Sequence, residues 1–336
     1  MIKFGIICPS EIAFRRFLPS LQQAEGFEYV GVAIATKEEF VGATDEILDK
    51  ERQKAQTFVN NFGGIIFEGY ETLICSDDVD AVYLPLPPAL HFKWSKKALL
   101  NKKHVFVEKP STTCLTDTQR LISLAKERGL ALHENYMFVF HNQMEAINDI
   151  VRSGEIGDVR LYRITFGFPM RDTRDFRYNK ALGGGALLDA GGYTMKYATT
   201  LLGLSGKLTA ATIGYLPGFE VDMYGSATMV NDEGIVAQLA FGMDNDYKCD
   251  VEIWCSKGTL TSGRVLTAPA GFMPTCIIKK NQEYETRCLP ADDAFLKSIQ
   301  RFGQCVKDKE MRIENYELIE HQEALVDRFR ELSKMY

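Results

Sequence analysis

Short apolar runs alternate with amphipathic segments along the amino-terminal part of the chain. The runs are followed by turn-forming or polar residues, and they cover residues 3–8, 28–35, 81–86, 104–107 and 130–134. Parallel strands have this character because both faces of a parallel sheet are buried. Between the runs, the pattern predicts helices over residues 11–22, around 51–58, up to residue 100 and over 116–129. This alternation predicts a doubly wound parallel sheet.

Local signals refine this first prediction. Ser10 is expected to cap the first helix, and Pro19 is expected to kink or end it. Residues 38–49 are polar and are expected to form a loop. Thr116 is the expected cap of the helix that ends at Gly129.

The rest of the chain has a different pattern, in which strands of alternating polarity follow one another with tight turns. After a helix over residues 141–153, strands are predicted over residues 159–168, 208–216, 224–230, 235–242, 248–255, 259–265, 276–280 and 283–288. Two helices, over 292–306 and 314–334, end the chain. The predicted fold is α/β: a Rossmann-type doubly wound sheet in residues 1–125, then an α+β domain with a large, mostly antiparallel open sheet in residues 126–336.

Composition excludes several classes of function. The 336 residues are 46% apolar and carry a net charge of −6, which argues against a nucleic-acid surface. No apolar stretch approaches the roughly 20 residues of a membrane helix, so no membrane association is expected. The eight cysteines and five histidines are dispersed, so we expect reduced thiols, a cytoplasmic location and no metal site.

Lys109 is the first candidate for chemistry. It follows the apolar strand 104–107 through Glu108 and precedes Pro110, so it lies at the carboxyl end of a parallel strand. Open α/β sheets bind their ligands at this end. A lysine is rarely buried without a partner, so packing alone is a poor explanation, although a surface lysine in a loop remains an alternative.

The topology suggests a nucleotide at the same edge of the sheet, although the turn after the first strand, taken alone, favours a strand-turn-helix without a ligand. The usual glycine-rich loop is absent after the first strand, but Ser10 and the following helix amides could bind a phosphate. NAD sites generally place an acid after the second strand, whereas this chain has Thr36 and Lys37 there. A hydroxyl and a cation suit a 2′-phosphate, so NADP(H) is favoured over NAD(H), although Glu38 and Glu39 follow closely.

Two further candidates lie in the carboxy-terminal half. The charged stretch 170–182, which contains Arg177, is either a solvated loop or a cationic cluster for an anionic substrate. Asp189 and Tyr193 are four residues apart in a helical segment and therefore share one face. A helical tyrosine is more often a half-buried core residue, and its use as an acid requires a nearby cation.

Several motifs appear together in a familiar order. They are Phe4-Gly5-Ile6-Ile7, Leu84-Pro85-Leu86-Pro87 with His91, Lys103-His104-Val105 with Glu108-Lys109-Pro110, Ser153-Gly154-Glu155-Ile156-Gly157, and Gly183-Gly184-Gly185-Ala186-Leu187-Leu188-Asp189. Nearly the whole chain thus resembles the glucose–fructose oxidoreductase/inositol dehydrogenase (Gfo/Idh/MocA) family. Within it, the chain is most similar to NADP(H)-dependent C-3 ketoreductases of dTDP-deoxysugar biosynthesis.

The resemblance implies site residues. Lys109 falls on the family's catalytic lysine, and Tyr193 stands where many members have histidine. Cofactor positions map onto Ser10, Glu11, Ile12, Thr36, Lys37, Leu86, Pro87, His91, Glu108 and Lys109. Cys8 and Pro9 replace the glycine and small residue expected in the phosphate loop.

The implied reaction is hydride transfer between nicotinamide and a sugar carbonyl or hydroxyl. Tyr193 would be the acid and Lys109 its electrostatic partner, Asp189 would bind a sugar hydroxyl, and Arg177 would bind the cofactor or a substrate phosphate. Alternatives are a free-sugar or trans-dihydrodiol (xylose-type) dehydrogenase and a non-catalytic nucleotide-sensing regulator. The expected partners are a sugar, possibly nucleotide-linked, and a second copy of the chain, giving a homodimer or homotetramer through the antiparallel sheet.

Overall fold

The computed structural model describes residues 1–40 and 42–334, which form two compact units. The first unit consists of Met1–Asn135 and Phe295–Glu320. The second unit consists of Tyr136–Ala294 and the described residues from His321 onward. The division therefore falls ten residues after the expected position, because the last parallel strand belongs to the first sheet, and a carboxy-terminal segment joins the first unit.

A six-stranded parallel sheet forms the centre of the first unit. Its strands are β1 (Ile2–Ile7), β2 (Phe27–Ile34), β3 (Ile65–Glu68), β4 (Ala81–Leu84), β5 (His104–Glu108) and β6 (Leu132–Asn135), in the order β3-β2-β1-β4-β5-β6. The connecting helices are α1 (Leu18–Leu21), α2 (Asp45–Phe62), α3 (Tyr70–Cys75), α4 (Pro88–Leu100) and α5 (Leu115–Arg128). This is the predicted doubly wound sheet, with β3 as a strand that the sequence did not indicate.

Three local predictions need correction. Helix α2 begins at Asp45, after Thr44 accepts a hydrogen bond from the Ile47 N–H, so the second half of the predicted loop is helical. Helix α5 begins one residue before Thr116 and has no side-chain cap. Pro19 does not end the first helix, because the π-helical turn Ala13–Phe17 widens the helix before it. The predicted cap at Ser10 is confirmed.

Aromatic rings fill one face of this sheet. Phe17 stacks on Tyr83 with ring centroids 3.9 Å apart, and Phe4 lies 5.3 Å from Phe17. Phe302, from the carboxy-terminal segment, lies 5.3 Å from Phe4 and 5.5 Å from Phe106. The first core is thus completed by a residue that is distant in sequence.

An eight-stranded sheet forms the centre of the second unit. Its strands are β7 (Val159–Gly167), β8 (Lys207–Tyr215), β9 (Asp222–Val230), β10 (Val236–Gly242), β11 (Lys248–Cys255), β12 (Thr259–Gly263), β13 (Thr275–Lys280) and β14 (Glu283–Cys288), in the order β14-β13-β12-β11-β7-β10-β9-β8. Among the described strands of this second sheet, only β7 and β10 pair in parallel, and the other neighbours pair antiparallel. The predicted strands and their mostly antiparallel arrangement are confirmed.

Helices cover one face of the second sheet. They are α6 (Asn142–Arg152), α7 (Gly192–Leu202) and the end of α9 (Lys309–Ser333), while α8 (Ala294–Lys307) lies almost entirely in the first unit. Phe329 of α9 packs on Phe241 of β10, with centroids 5.5 Å apart. Along β9 and β10, buried and more exposed residues alternate, so the other face of the sheet stays open. The predicted fold class is confirmed.

All eight cysteines lie in the described part of the chain, and they form no disulfide there. Among the described residues, no helix combines the length and the apolar character needed to cross a membrane.

Candidate active site

The carboxyl edge of the parallel sheet gathers the predicted cofactor residues of the first unit. Strand β1 pairs with β2 and β4, and β4 pairs with β5, all in parallel, so these four strands end side by side. The segments that follow them carry Ser10, Glu11 and Ile12 after β1, Thr36 and Lys37 after β2, Leu86 and Pro87 after β4, and Lys109 after Glu108 at the end of β5. Dinucleotides bind at this edge in such sheets.

The turn after β1 shows how the chain manages without a glycine-rich loop. Cys8 adopts a φ of +79°, a left-handed conformation that glycine usually supplies. Burial raises the pKa of the Cys8 thiol to about 12, so the thiol is neutral. The Ser10 hydroxyl accepts a hydrogen bond from the Ala13 N–H at 3.2 Å. This neutral turn and the following helix start therefore fit a pyrophosphate.

The turn after β2 contains both a cation and an acid. The Glu39 carboxylate accepts hydrogen bonds from three backbone N–H groups, one of them that of Thr36 at 3.0 Å. Glu39 is therefore committed to holding the turn. Lys37 remains exposed, and its Nζ lies 2.6 Å from Oδ1 of Asp45, the first residue of α2. This cation fits the 2′-phosphate of NADP(H). Its pairing with Asp45 could not be predicted from the sequence.

A hydrogen-bond network fixes the end of β5. The Tyr83 hydroxyl and the Asn135 amide each donate a 2.7 Å hydrogen bond to Glu108. Burial raises the pKa of Glu108, while both hydrogen bonds and the charge of Lys109 oppose this shift. The Ser298 hydroxyl in turn donates to Asn135 at 2.8 Å. Sequence reasoning missed these partners because they come from separate elements with no characteristic spacing.

His91, one of the residues predicted to bind the cofactor, has a structural role in the turns after β4 and β5. Its side chain is completely buried, and its ring nitrogens lie 2.7 Å from the carbonyl oxygens of Leu86 and Pro110. Burial lowers the pKa of His91 to about 4, so the imidazole is neutral and can donate to only one of the two carbonyls. His91 thus joins the chain after β4 to the chain after Lys109.

Arg177 and Asp189 form an ion pair in the second unit. Nε of Arg177 lies 2.6 Å from Oδ2 of Asp189, and its NH1 lies 3.2 Å from Oδ1 of Asp175. Burial lowers the pKa of Arg177, but the two carboxylates outweigh it and raise the pKa overall. Arg177, predicted to bind the cofactor or a substrate phosphate, is therefore paired with two carboxylates of its own unit. Asp189 lies in the π-helical turn Leu187–Gly191, a feature frequent at functional sites.

Aromatic rings surround Tyr193 at the start of α7. Its ring centroid lies 5.2 Å from that of Tyr136, 5.6 Å from Phe138 and 5.2 Å from Phe166. Nζ of Lys196, on the next turn of the helix, lies 5.6 Å from the Tyr136 ring. The phenol is thus held in a rigid, largely apolar setting. The three surrounding rings could not be assigned from the sequence, because the periodicity of a helix does not reveal which other segments the helix packs against.

These features define a class of protein. A Rossmann-type unit with a lysine at the end of β5, and a second unit with an aspartate and a tyrosine on one helix, are typical of nicotinamide-dependent oxidoreductases. Residues 2–136 match the family model described as "Oxidoreductase family, NAD-binding Rossmann fold", and residues 144–261 match that of the GFO/IDH/MocA C-terminal domain. The chain belongs to this GFO/IDH/MocA family.

Full-length relatives narrow the comparison. The dTDP-3,4-didehydro-2,6-dideoxy-alpha-D-glucose 3-reductase of Actinomadura kijaniata is 37% identical over 329 residues, 98% of this chain and 95% of the relative. The Streptomyces violaceoruber reductase of the same name is 37% identical over 343 residues, 99% and 96% of the two chains. The crystal structure of KijD10, a 3-ketoreductase from A. kijaniata in complex with NADP and TDP-benzene, has a TM-score of 0.90, 37% identity and coverage of 98% and 97%. The predicted family and an NAD(P)-dependent oxidoreductase activity are confirmed.

Proposed function

We propose that this enzyme uses NADPH to reduce a ketone in a sugar linked to a nucleoside diphosphate. The observation that carries the proposal is the 37% identity, over nearly both full lengths, to reductases of a dTDP-linked didehydro-dideoxyglucose. A D-xylose 1-dehydrogenase (NADP(+)) of Haloferax volcanii is only 25% identical over 309 residues, so a free-sugar dehydrogenase is not favoured. The oxidoreductase relatives likewise disfavour a non-catalytic regulator.

The cofactor would be held along the carboxyl edge of the parallel sheet. Ser10 and the helix start that it caps would bind the pyrophosphate. Thr36 and Lys37 would bind the 2′-phosphate that distinguishes NADPH from NADH. This assignment agrees with the NADP present in the complexes of KijD10.

When bound, NADPH supplies the hydride that adds to the carbonyl carbon of the substrate. Negative charge then develops on the carbonyl oxygen, and the Lys109 ammonium stabilises it. The Tyr193 phenol donates its proton to that oxygen, which yields the alcohol and a tyrosinate that regains a proton from water. Asp189, held by Arg177, accepts a hydrogen bond from a sugar hydroxyl and orients the ring.

Work on the relative KijD10 supports the choice of these two residues. Its solved variants replace a lysine by alanine or glutamate and a tyrosine by phenylalanine. The replaced lysine and tyrosine are separated by the same number of residues as Lys109 and Tyr193.

Isotope transfer tests the activity directly. The purified enzyme is mixed with dTDP-3,4-didehydro-2,6-dideoxy-α-D-glucose and NADPH deuterated at C4 of the nicotinamide. We expect loss of NADPH absorbance and deuterium at C-3 of the product sugar by mass spectrometry. Oxidation of free D-xylose with NADP⁺, without turnover of the nucleotide-linked ketosugar, would instead establish the free-sugar dehydrogenase.

The open face of the eight-stranded sheet is the proposed oligomer interface. It exposes Trp254 (53%), Ile277 (43%) and Tyr284 (69%), which are large apolar side chains to leave in water. Light scattering is expected to give a dimer or tetramer, and Trp254→Glu combined with Ile277→Glu is expected to give monomers. A wild-type chain that is monomeric at micromolar concentration would contradict this interface.

A further inference from the structure

Two strand ends lie close together at one end of the eight-stranded sheet. Strand β11 pairs antiparallel with both β7 and β12, with Lys248 opposite Gly167 and Asp250 opposite Gly263. The carboxyl ends of β7 and β12 therefore flank the start of β11, and two strand spacings separate them by about 10 Å. Arg264 follows β12 directly, and Arg171 follows β7 after a few residues.

Arg264 lies between two aromatic rings. Its guanidinium carbon is 5.6 Å from the ring centroid of Tyr247 and 5.6 Å from that of Phe272. No carboxylate pairs with it among residues 1–40 and 42–334. Its φ of +53° is uncommon for a residue with a side chain, and such strain concentrates at functional sites.

Hydrogen bonds fix the rings and the backbone around Arg264. The Tyr247 hydroxyl is 3.0 Å from Oγ1 of Thr267, and the N–H of Val265 donates to the Cys249 carbonyl at 3.2 Å. Two acids near the start of β11 have other partners: Asp246 accepts a hydrogen bond from the backbone N–H of Tyr247, and Oδ2 of Asp250 lies 3.9 Å from Nζ of Lys248. Arg264 is thus an exposed cation beside two aromatic rings, one of which is held in place by a hydrogen bond.

Arg171 is a second arginine with this character. Its guanidinium carbon is 5.1 Å from the Phe168 ring, and its N–H donates to the Tyr178 hydroxyl at 2.8 Å. The other arginines of the loop are paired, Arg174 with Asp172 and Arg177 with two acids. Arg171 has no carboxylate partner in the described part of the chain.

Ring contacts connect Arg171 to the proposed acid. The Phe168 ring is 5.7 Å from that of Phe166, and the Phe166 ring is 5.2 Å from that of Tyr193. A ligand whose reacting carbon lies at Tyr193 therefore needs to extend past only two side chains to reach Arg171.

We propose that Arg171 and Arg264, with the rings of Tyr247 and Phe272, bind the nucleoside diphosphate of the substrate. Guanidinium groups bind phosphate oxygens in a bidentate manner, and aromatic faces stack on a base. The inference rests on the proposed function, because it requires a nucleotide-linked substrate, and it deepens that function by assigning residues to the nucleotide.

Calorimetric titration with dTDP tests the subsite in the full-length enzyme loaded with NADP⁺. We expect Arg171→Ala and Arg264→Ala each to weaken dTDP binding by about 10-fold or more. NADPH affinity and thermal stability should be unchanged, because both side chains are exposed. Arg174→Ala is the matched control, because its charge is already paired with Asp172, and it should bind dTDP normally. Titrations with pyrophosphate and with thymidine then separate phosphate recognition from base recognition.

The outcomes separate this inference from the proposed function. Normal dTDP affinity in both arginine variants, together with turnover of the nucleotide-linked ketosugar, would overturn the subsite and leave the function standing. Arginine-dependent dTDP binding without turnover of that substrate would support the subsite and overturn the function. No dTDP binding by the wild-type enzyme would overturn both.

Discussion

Arg177 donates a 2.6 Å hydrogen bond from Nε to Oδ2 of Asp189, one helical turn before Tyr193. Both side chains are mostly buried, with 20% and 12% exposure. Arg177 also contacts Asp175, so its removal leaves two partly buried carboxylates without this cation. The proposed substrate-orienting residue is therefore held by an arginine that itself depends on two acids.

We expect substitutions of the two members of this ion pair to lower the stability of the protein by different amounts. Arg177→Gln should lower the free energy of unfolding by about 3 kcal/mol. The two carboxylates would stay partly buried without the cation that compensates the cost of removing them from water. Asp189→Asn should cost less, about 1 kcal/mol, because Asp175 still neutralises Arg177. Urea unfolding monitored by circular dichroism measures both. The exposed Arg174→Gln serves as control and should not change stability measurably; equal stability of Arg177→Gln and the wild type would refute the arrangement.

Tyr193→Phe should keep NADPH binding and lose turnover by roughly 10²–10⁴-fold, the usual contribution of a positioned proton donor. The matched control is Tyr197→Phe. Tyr197 is buried on the same helix, and its hydroxyl has no hydrogen-bond partner among the described residues. This control should retain full activity. Steady-state kinetics measures turnover, and fluorescence titration measures NADPH binding. An active Tyr193→Phe enzyme would exclude Tyr193 as the acid.

Lys109→Ala should lose roughly 10²–10³-fold in turnover with little change in stability, because its proposed role is to stabilise charge on the substrate. Lys103→Met is the matched comparison, and we expect it to lower stability rather than turnover. Lys103 is buried, and its Nζ donates to the carbonyls of Ser76 and Val79 at 2.7 and 2.6 Å. That variant should lose about 1–3 kcal/mol of stability through unpaired carbonyls and keep its activity when folded. Thermal melts and kinetics on both variants test the contrast, which fails if Lys109→Ala turns over normally.

Asp45→Asn should tighten NADPH binding by about two- to fivefold, because Asp45 competes with the 2′-phosphate for Lys37. NADH binding should not change. Glu46→Gln is the control, since Glu46 also lies in the first turn of α2 and pairs with Lys50 at the same distance of 2.6 Å. Fluorescence titration at low salt measures both cofactors. An equal effect of the two substitutions would show that the change reflects overall charge alone.

His104 makes stability dependent on pH. Its Nδ1 accepts the N–H of Ala131 at 2.9 Å, and burial lowers its pKa to about 4. Because the native pKa is below the unfolded one, about 6.5, its stabilising contribution is complete above pH 6.5 and is lost as the pH falls towards 4. The loss approaches about 3 kcal/mol, and His91 contributes in the same direction. Urea titrations across this range should show a shallower dependence in His104→Gln, and an unchanged slope would contradict the prediction.

Sequence patterns predicted the elements well because strand and helix periodicities are local. Two short elements were missed: β3, a four-residue strand that begins just after Gly63-Gly64 and buries only Phe67, and α3, the six-residue helix Tyr70–Cys75 that follows it. Residues that follow strands, such as Lys37 and Lys109, could be assigned to one edge of the sheet, because the carboxyl ends of parallel strands all lie on the same edge.

The contacts that individual site residues make could not be predicted, because local sequence patterns carry no information on tertiary contacts. The charged stretch that contains Arg177 did not indicate which acid each arginine pairs with, and the fold pairs Arg177 with Asp189. His91 looked like a ligand residue, yet it lies completely buried between two carbonyls. Cys8 stands where glycine is expected, and only the structure shows that it adopts the left-handed conformation.

Phe302 has a consequence for the synthesis of this protein. The parallel sheet is translated first, but Phe302, which packs on Phe4 and Phe106, belongs to a segment made after all the strands of the other sheet. While the chain is still being synthesised, the aromatic face of the parallel sheet that Phe302 covers therefore stays exposed through most of elongation. Chains that terminate early keep this face exposed, which makes them natural clients for chaperones and proteases.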